Sequence, residues 1–452
     1  MSKRNIDMLN GPLFKNVIAY TIPIILTGFL QLLFNAADLV IVGRYCGSIS
    51  VAAVGATTSI TNLIVNLFIG LSVGAGVVVA QAIGAGNHKK THRAIHTAIP
   101  TALVGGVVLT FVGVGFSKTF LQWMDTPENV LDLSALYMKI YFGGIIFMMI
   151  YNFCASILRA AGDTKSPLIF LTIAGILNVG LNVVFVTVFD LNVAGVALAT
   201  TISQGVSATL VVITLVKRTD ACKLYFSKLK FYKDEFFEII KIGLPAGIQG
   251  SLFSISNVII QSSINSFGSV VMSGNAAALN IEGFMFVCLN AFHQTTLNFT
   301  GQNMGANQYK RAKKIFIINM FCVFTVGLII SICVYLAGPH LLKIYLPDSA
   351  DAVTVGQLRL KCLCLSYCLL GMMDVSGGGL RGMGVSFIPM LISVLGVCGV
   401  RIGWIYTIFQ IPEFHTPETI YLSYTVSWGI TFIAQTIAYF ITYNKRKRKL
   451  TK

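Results

Sequence analysis

Apolar residues run in long blocks along this chain, divided by short polar stretches. Twelve blocks reach the roughly 20 residues that a helix needs to cross a hydrocarbon core. They fall at about 17–42, 51–83, 94–116, 133–158, 167–189, 193–216, 239–266, 270–300, 315–338, 353–380, 386–411 and 419–443. The short alternating strands of a β-barrel are not found, so the pattern predicts an all-α membrane protein. The first residues, Met1 to Asp7, are polar, and the apolar run after them is too long for a cleavable leader. The first helix is expected to direct its own insertion.

Composition sharpens this picture. The chain has 452 residues, 55% hydrophobic and 11% charged, where soluble domains carry about 25% charged residues. A soluble globular protein is excluded. The 42 glycines suit helices that pack closely in lipid. Of the ten cysteines, Cys362, Cys364 and Cys368 cluster without a histidine nearby, which favours small buried hydrophobes over a metal site.

The net charge of +16 follows loop parity and does not point to nucleic acid. With the N-terminus inside, 26 of the 33 Lys and Arg residues fall on the cytoplasmic side, from Lys3, Arg4 and Lys15 to the tail beginning at Lys445. That bias predicts cytoplasmic termini and an even number of spans. The basic tail is expected to lie against anionic lipid headgroups.

The chain is also written twice. Shifted by 222 residues, Pro23 to Gly28 meets Pro245 to Gly250, Leu136 to Lys139 meets Leu358 to Lys361, and Leu158 to Gly162 meets Leu380 to Gly384. With one residue of slip, Gln81 to Ala85 meets Gln302 to Ala306. Four matches in register indicate an internal duplication. Each copy holds six spans, an even number, so the repeats are parallel and related by an axis along the membrane normal. The expected organisation is an N-terminal six-helix lobe over 1–216, a basic linker over 217–235 and a C-terminal lobe with its tail over 236–452. Two such lobes around a central cavity suit alternating access.

The carriers of a family likeness are Asp38 to Arg44, Ala80 to Ala85, Leu158 to Asp163, Asn280 to Phe284 and Thr300 to Ala306. With the duplicated twelve-helix plan, the chain resembles the multidrug and toxic compound extrusion (MATE) family. The resemblance implies cation-driven export of amphipathic, often cationic, organic molecules across the plasma membrane. It implies no catalysis and no cofactor beyond a coupling ion, H+ first and Na+ second. The partners it implies are a small organic substrate and membrane lipid, with no nucleic acid, and a monomer is expected. Flippases of lipid-linked oligosaccharides have a similar build and give the alternative reading. A membrane-embedded metalloenzyme is a third, for which His88, His92 and His96 share a helical face; no carboxylate accompanies them.

Only three acids lie well inside the spans: Asp38, Glu282 and Asp374. An intramembrane carboxylate costs about 2.5–3.5 kcal/mol on insertion scales and marks a functional candidate. Thr27, Gln31, Asn35 and Asp38 recur at spacings of four, four and three, which stacks them on one helical face. Lipid offers that face no hydrogen bonds, so it must look into the protein. Desolvation disfavours a carboxylate's charged form, and such a group can load and release protons.

The family's archaeal and DinF-like branch joins a first-helix aspartate to a fifth-helix asparagine and aspartate and a sixth-helix threonine. By resemblance, Asp38, Asn178 and Thr200 take three of those places, and Asn182 stands where the second acid would be. The substrate path is expected to include Gln31, Asn35, Asn152, Asn257, Gln261, Glu282 and Asp374, with Glu282 attracting a cationic substrate. Asp374 falls on Asn152 under the repeat, and Asn35 on Asn257. Arg401 lies deep in the eleventh span, where pairing with an acid such as Asp374 is one reading.

Overall fold

The computed structural model describes residues 5–347 and 349–450, with side chains through Arg448. Lys3, Arg4 and Lys452 from the basic count lie outside the described residues, as does the side chain of Lys449. Helices account for nearly all the regular structure, and no strand occurs among the described residues. In the first repeat they are α1 (Leu13–Tyr45), α2 (Ser48–Gly84), α3 (His88–Trp123), α4 (Glu128–Gly143), α5 (Ile145–Ala160), α6 (Lys165–Thr187) and α7 (Asn192–Lys217). The second repeat holds α8 (Lys233–Asn265), α9 (Ser269–Gly305), α10 (Tyr309–Tyr345), α11 (Ala350–Leu363), α12 (Tyr367–Gly382), α13 (Phe387–Ser393), α14 (Val400–Tyr406) and α15 (Pro417–Leu450). Eleven helical stretches among the described residues are long and apolar enough to cross a membrane, and α4 with α5, bent by 46°, makes a twelfth.

That bend falls at Gly144. A Cβ there would meet Thr201 Cγ2 at 2.2 Å, so only glycine lets α5 lie this close to α7. The duplication is visible in the backbone as well. Left-handed residues recur at helix ends as Gly47 and Gly268, Gly86 and Asn307, and Gly162 and Gly384. Each pair is separated by 221 or 222 positions. The Leu158 to Asp163 motif has a local cause: after Gly162, Asp163 accepts hydrogen bonds from the Ser166 backbone N–H (3.0 Å) and hydroxyl (2.6 Å), capping the start of α6.

Two compact units divide the described chain, and their boundary differs from the one read from composition. Among the described residues, unit 1 comprises 5–7 and 22–247, and unit 2 comprises 8–21, 248–347 and 349–450. Each unit therefore includes the opening turns of the other repeat's first helix, and the changeover falls beside Pro23 in α1 and Pro245 in α8. In unit 2, Thr21 shares a hydroxyl hydrogen bond with Thr295 of α9 (2.8 Å), Tyr20 packs edge-on to Phe299, and Asn303 donates to the Met8 carbonyl (3.0 Å).

In unit 1 the opening of α8 meets α2 along four glycines. A Cβ on Gly70 would sit 2.1 Å from the Gly247 nitrogen, and one on Gly247 would sit 2.2 Å from the Leu67 carbonyl oxygen. Gly74 and Gly243 are equally crowded by backbone. Small residues here let two helix backbones touch, the main source of packing energy between helices in lipid. Gly247→Val is expected to lower the thermal unfolding midpoint and to reduce transport, because overpacking costs about 1–3 kcal/mol. Gly115→Ala, in α3 with open space around it, should leave both unchanged. Equal behaviour of the two variants would show that the glycine contact is unimportant.

The basic linker folds onto α3. Lys230 N–H donates to the His96 carbonyl (3.2 Å), and Tyr232 N–H to the Thr97 hydroxyl (3.1 Å). Lys90 pairs with Glu238 (2.8 Å) and Arg93 lies 3.7 Å from Glu235.

Candidate functional site

Within unit 1, α1, α6 and α7 bring together the four residues proposed for ion coupling. Asp38 is half-buried, Asn178 is nearly buried and Asn182 wholly so. The Asn182 amide nitrogen donates to the Asp38 carboxylate in a short contact. It also lies 3.3 Å from Asn178 Oδ1, and Asn178 Nδ2 lies 3.4 Å from the Thr200 hydroxyl. Helical spacing explains the geometry, because Asn178 and Asn182 sit one turn apart and stack on one face of α6. Gly175 sits on the same helix, one turn earlier. A Cβ there would overlap the Phe34 ring of α1, at 1.7 Å from its nearest atom. Glycine at 175 is what allows α6 to approach α1 closely enough for Asn182 to reach Asp38.

This arrangement handles both states of the acid. A charged Asp38 accepts from the Asn182 NH2, as seen here. A neutral Asp38 carries an O–H that needs an acceptor, and Asn182 Oδ1 is a buried acceptor with no donor. Turning the amide over presents that oxygen, so one side chain can serve both protonation states. Asp38 is the one carboxylate among these four residues.

Tyr137 is a member of this neighbourhood that sequence reasoning missed. It packs on the cluster of Ile41, Val42, Val186 and Val196 beside Asp38, and stacks with Tyr141 at 6.3 Å between ring centroids. Its signal was its place in the repeat, opposite Arg359. Gln31 and Asn35 are exposed on the Asp38 face of α1. Asn152 donates to the Met148 carbonyl of its own helix (3.0 Å).

Unit 2 holds the other candidates in two separate groups. Glu282 is 3% exposed and Arg359 is 1% exposed. Arg359 Nε and Nη2 donate to the two carboxylate oxygens at 2.8 and 2.7 Å, and the Tyr367 hydroxyl adds a third bond at 2.8 Å. Arg359 Nη1 reaches Asn275 Oδ1 (2.8 Å), Asn275 donates to Gln261 (3.1 Å), and Gln261 donates to Asn265 (2.8 Å). The sequence suggested Glu282 as an attractant for a cationic substrate; in the structure it is paired with Arg359. Its charge is already matched. Gln261 joins this network, whereas Asn257 is exposed on α8.

Asp374 belongs to the second group. Its backbone carbonyl accepts from His293 Nδ1 (2.7 Å), while His293 Nε2 faces Arg381 at 3.4 Å and Arg381 donates to Gln249 (2.6 Å). Arg401 does not pair with Asp374. It donates instead to the Ser427 hydroxyl (2.9 Å) and lies over the Tyr424 ring.

The three histidines near the start of α3 do not converge on a metal site. His96 Nδ1 donates to the His92 carbonyl (2.7 Å), and its Nε2 accepts from Tyr225 N–H (3.0 Å), tying down the linker. No group of three metal-ligating side chains occurs among the described residues.

Two repeats of candidate membrane spans, with polar groups buried in each unit, mark a polytopic membrane protein. The chain belongs to the MatE family, whose model matches it twice, over residues 23–184 and 245–407. It is a transporter and not an enzyme. It is 28% identical over 395 residues to "Probable multidrug resistance protein YpnP" of Bacillus subtilis, covering 86% of this chain and 87% of that one. It is 22% identical to the multidrug export protein MepA of Staphylococcus saprophyticus, over 85% and 88% of the two chains. Among solved structures, the fold is shared with an outward-facing multidrug resistance MATE transporter of the MOP superfamily, with a TM-score of 0.92 at 20% identity over 99% of this chain and 100% of that one. It is also shared with a MOP superfamily transporter of Pyrococcus furiosus, with a TM-score of 0.91 at 20% identity over 99% of both chains.

Proposed function

We propose that this transporter exports amphipathic, often cationic, organic compounds from the cell in exchange for an ion, with the exchange centred on Asp38. The observation that carries the reading is the linked set Asp38–Asn182–Asn178–Thr200, a single carboxyl whose amide partner suits both its charged and its neutral form. The multidrug roles named for the Bacillus and Staphylococcus relatives support the substrate class. A proton is the favoured ion, because a sodium site gains little from one carboxylate and three neutral side chains. Proton and cationic substrate then compete for one negative charge, so loading one releases the other. To drive transport, the ion must bind one arrangement of the protein better than the other by a few kcal/mol.

The loop bias in Lys and Arg supports a plasma-membrane protein with both termini in the cytoplasm. Ethidium movement in reconstituted vesicles under separately imposed proton and sodium gradients tests the coupling. The reading expects transport to follow the proton gradient, and transport indifferent to both gradients would refute it.

A further inference from the structure

Unit 2 buries two arginines against α15, and only one of them has a counter-charge. Arg359 and Glu282 neutralise each other through two parallel hydrogen bonds, and Tyr367 and Asn275 complete the set. Arg401 is as deeply placed, at 4% exposure. Its one hydrogen bond runs from Nε to the Ser427 hydroxyl, and that hydroxyl donates onward to the Tyr424 carbonyl (2.8 Å). Among the described residues no salt bridge forms at Arg401, and none accepts a hydrogen bond from its Nη groups. Glu282 is the ion-pair partner of Arg359 and makes no hydrogen bond to Arg401.

Aromatic rings surround this guanidinium. Its Cζ lies 3.9 Å from the Tyr424 ring centroid and 5.5 Å from that of Trp428. Trp428 in turn packs edge-on to Tyr367 at 5.3 Å. Ring faces attract a cation, but they neither accept its in-plane N–H bonds nor cancel its charge. A buried charge without either is strongly unfavourable. The backbone is irregular at the same place: residues Val394–Gly399, just before Arg401, form a π-helical stretch, a feature often found at functional sites.

We propose that Arg401 is a binding site for an oxyanion, the carboxylate or phosphate of an amphipathic molecule whose apolar body lies against Tyr424 and Trp428. A planar fork of N–H groups matches either oxyanion in bidentate fashion, as a lysine would not. The site lies within unit 2, and it does not depend on ion coupling at Asp38.

The test uses the full chain in nanodiscs with Trp123→Phe and Trp404→Phe, leaving Trp428 as the one tryptophan of three. The probe is 2-naphthoate, with neutral 2-naphthamide as its control. Saturable quenching of Trp428 by naphthoate and weaker quenching by naphthamide are expected in phosphatidylcholine discs. Arg401→Gln should weaken naphthoate binding about tenfold or more, the loss of a charge-assisted hydrogen bond. Discs containing phosphatidylglycerol separate the two sources of the anion. If that lipid competes with naphthoate only when Arg401 is present, the natural ligand is a lipid headgroup; if it does not compete, the ligand is a free amphipathic acid. Equal quenching by naphthoate and naphthamide would overturn the proposal, as would undiminished naphthoate binding in Arg401→Gln. Should that variant fail to fold, the comparison of the two probes in the otherwise unaltered chain still decides.

Discussion

Asp38→Asn is expected to abolish gradient-driven ethidium export, to the level of vesicles without protein, while leaving the protein folded and able to bind dye. Asparagine is nearly isosteric and keeps a hydrogen bond to the Asn182 amide, so α1, α6 and α7 should stay packed as they are. What disappears is the one titrating group among Asp38, Asn182, Asn178 and Thr200. A carrier whose ion binds its two states equally cannot be driven by that ion, however tightly the ion binds. The converse change sharpens the test. Asn182→Asp restores a second acid beside the first and should make transport more responsive to a sodium gradient. Efflux assays under each gradient, with a measured dye-binding isotherm, check both variants. If Asp38→Asn exports at the wild-type rate, the aspartate is scaffold and the coupling lies elsewhere.

Glu282→Ala is expected to destabilise unit 2 by about 3–5 kcal/mol, the cost of leaving one member of a buried ion pair without its partner. Arg359 would stay 1% exposed with no counter-charge. Asn275 would still accept from Arg359 Nη1, and the Tyr367 hydroxyl would lose its acceptor. Replacing both members by apolar residues of similar volume, Glu282→Met with Arg359→Leu, should recover most of the loss, because the desolvation of both charges is then avoided. Thermal unfolding of the detergent-purified variants measures both. A single variant as stable as wild type would mean that the pair does little to hold α9 and α11 together.

Hydropathy made the twelve spans legible, because bilayer thickness sets a length that the sequence must meet. The duplication was legible from motifs in register, and the left-handed helix ends at Gly47 and Gly268 or Gly162 and Gly384 are its physical trace. Asp38, Asn178, Asn182 and Thr200 could be named because an isolated acid and turn-spaced amides stand out in apolar helices. Arg359 was harder to see. Its segment, Leu358 to Lys361, matches Leu136 to Lys139 in the repeat, and that match accounts for the segment without calling for a partner. The acid at Glu282 was the available signal, since an intramembrane charge calls for an opposite one.

The reciprocal inclusion of 8–21 in unit 2 and 233–247 in unit 1 left no such trace. Those contacts join helices far apart in sequence, and helical periodicity says which face is buried but not against what. Glycines Gly70, Gly74, Gly243 and Gly247 were visible as small residues at four-residue spacing. Nothing in their spacing could show that they meet one another.

Proton release on substrate binding is the measurement that reaches the central claim most directly. Ethidium would be added to weakly buffered, detergent-solubilised protein over a range of pH, with dye occupancy followed in parallel. The account predicts that the wild type releases protons as dye binds and that Asp38→Asn binds dye without releasing them. Release of equal size from both proteins, or no release from the wild type at any pH, would contradict it.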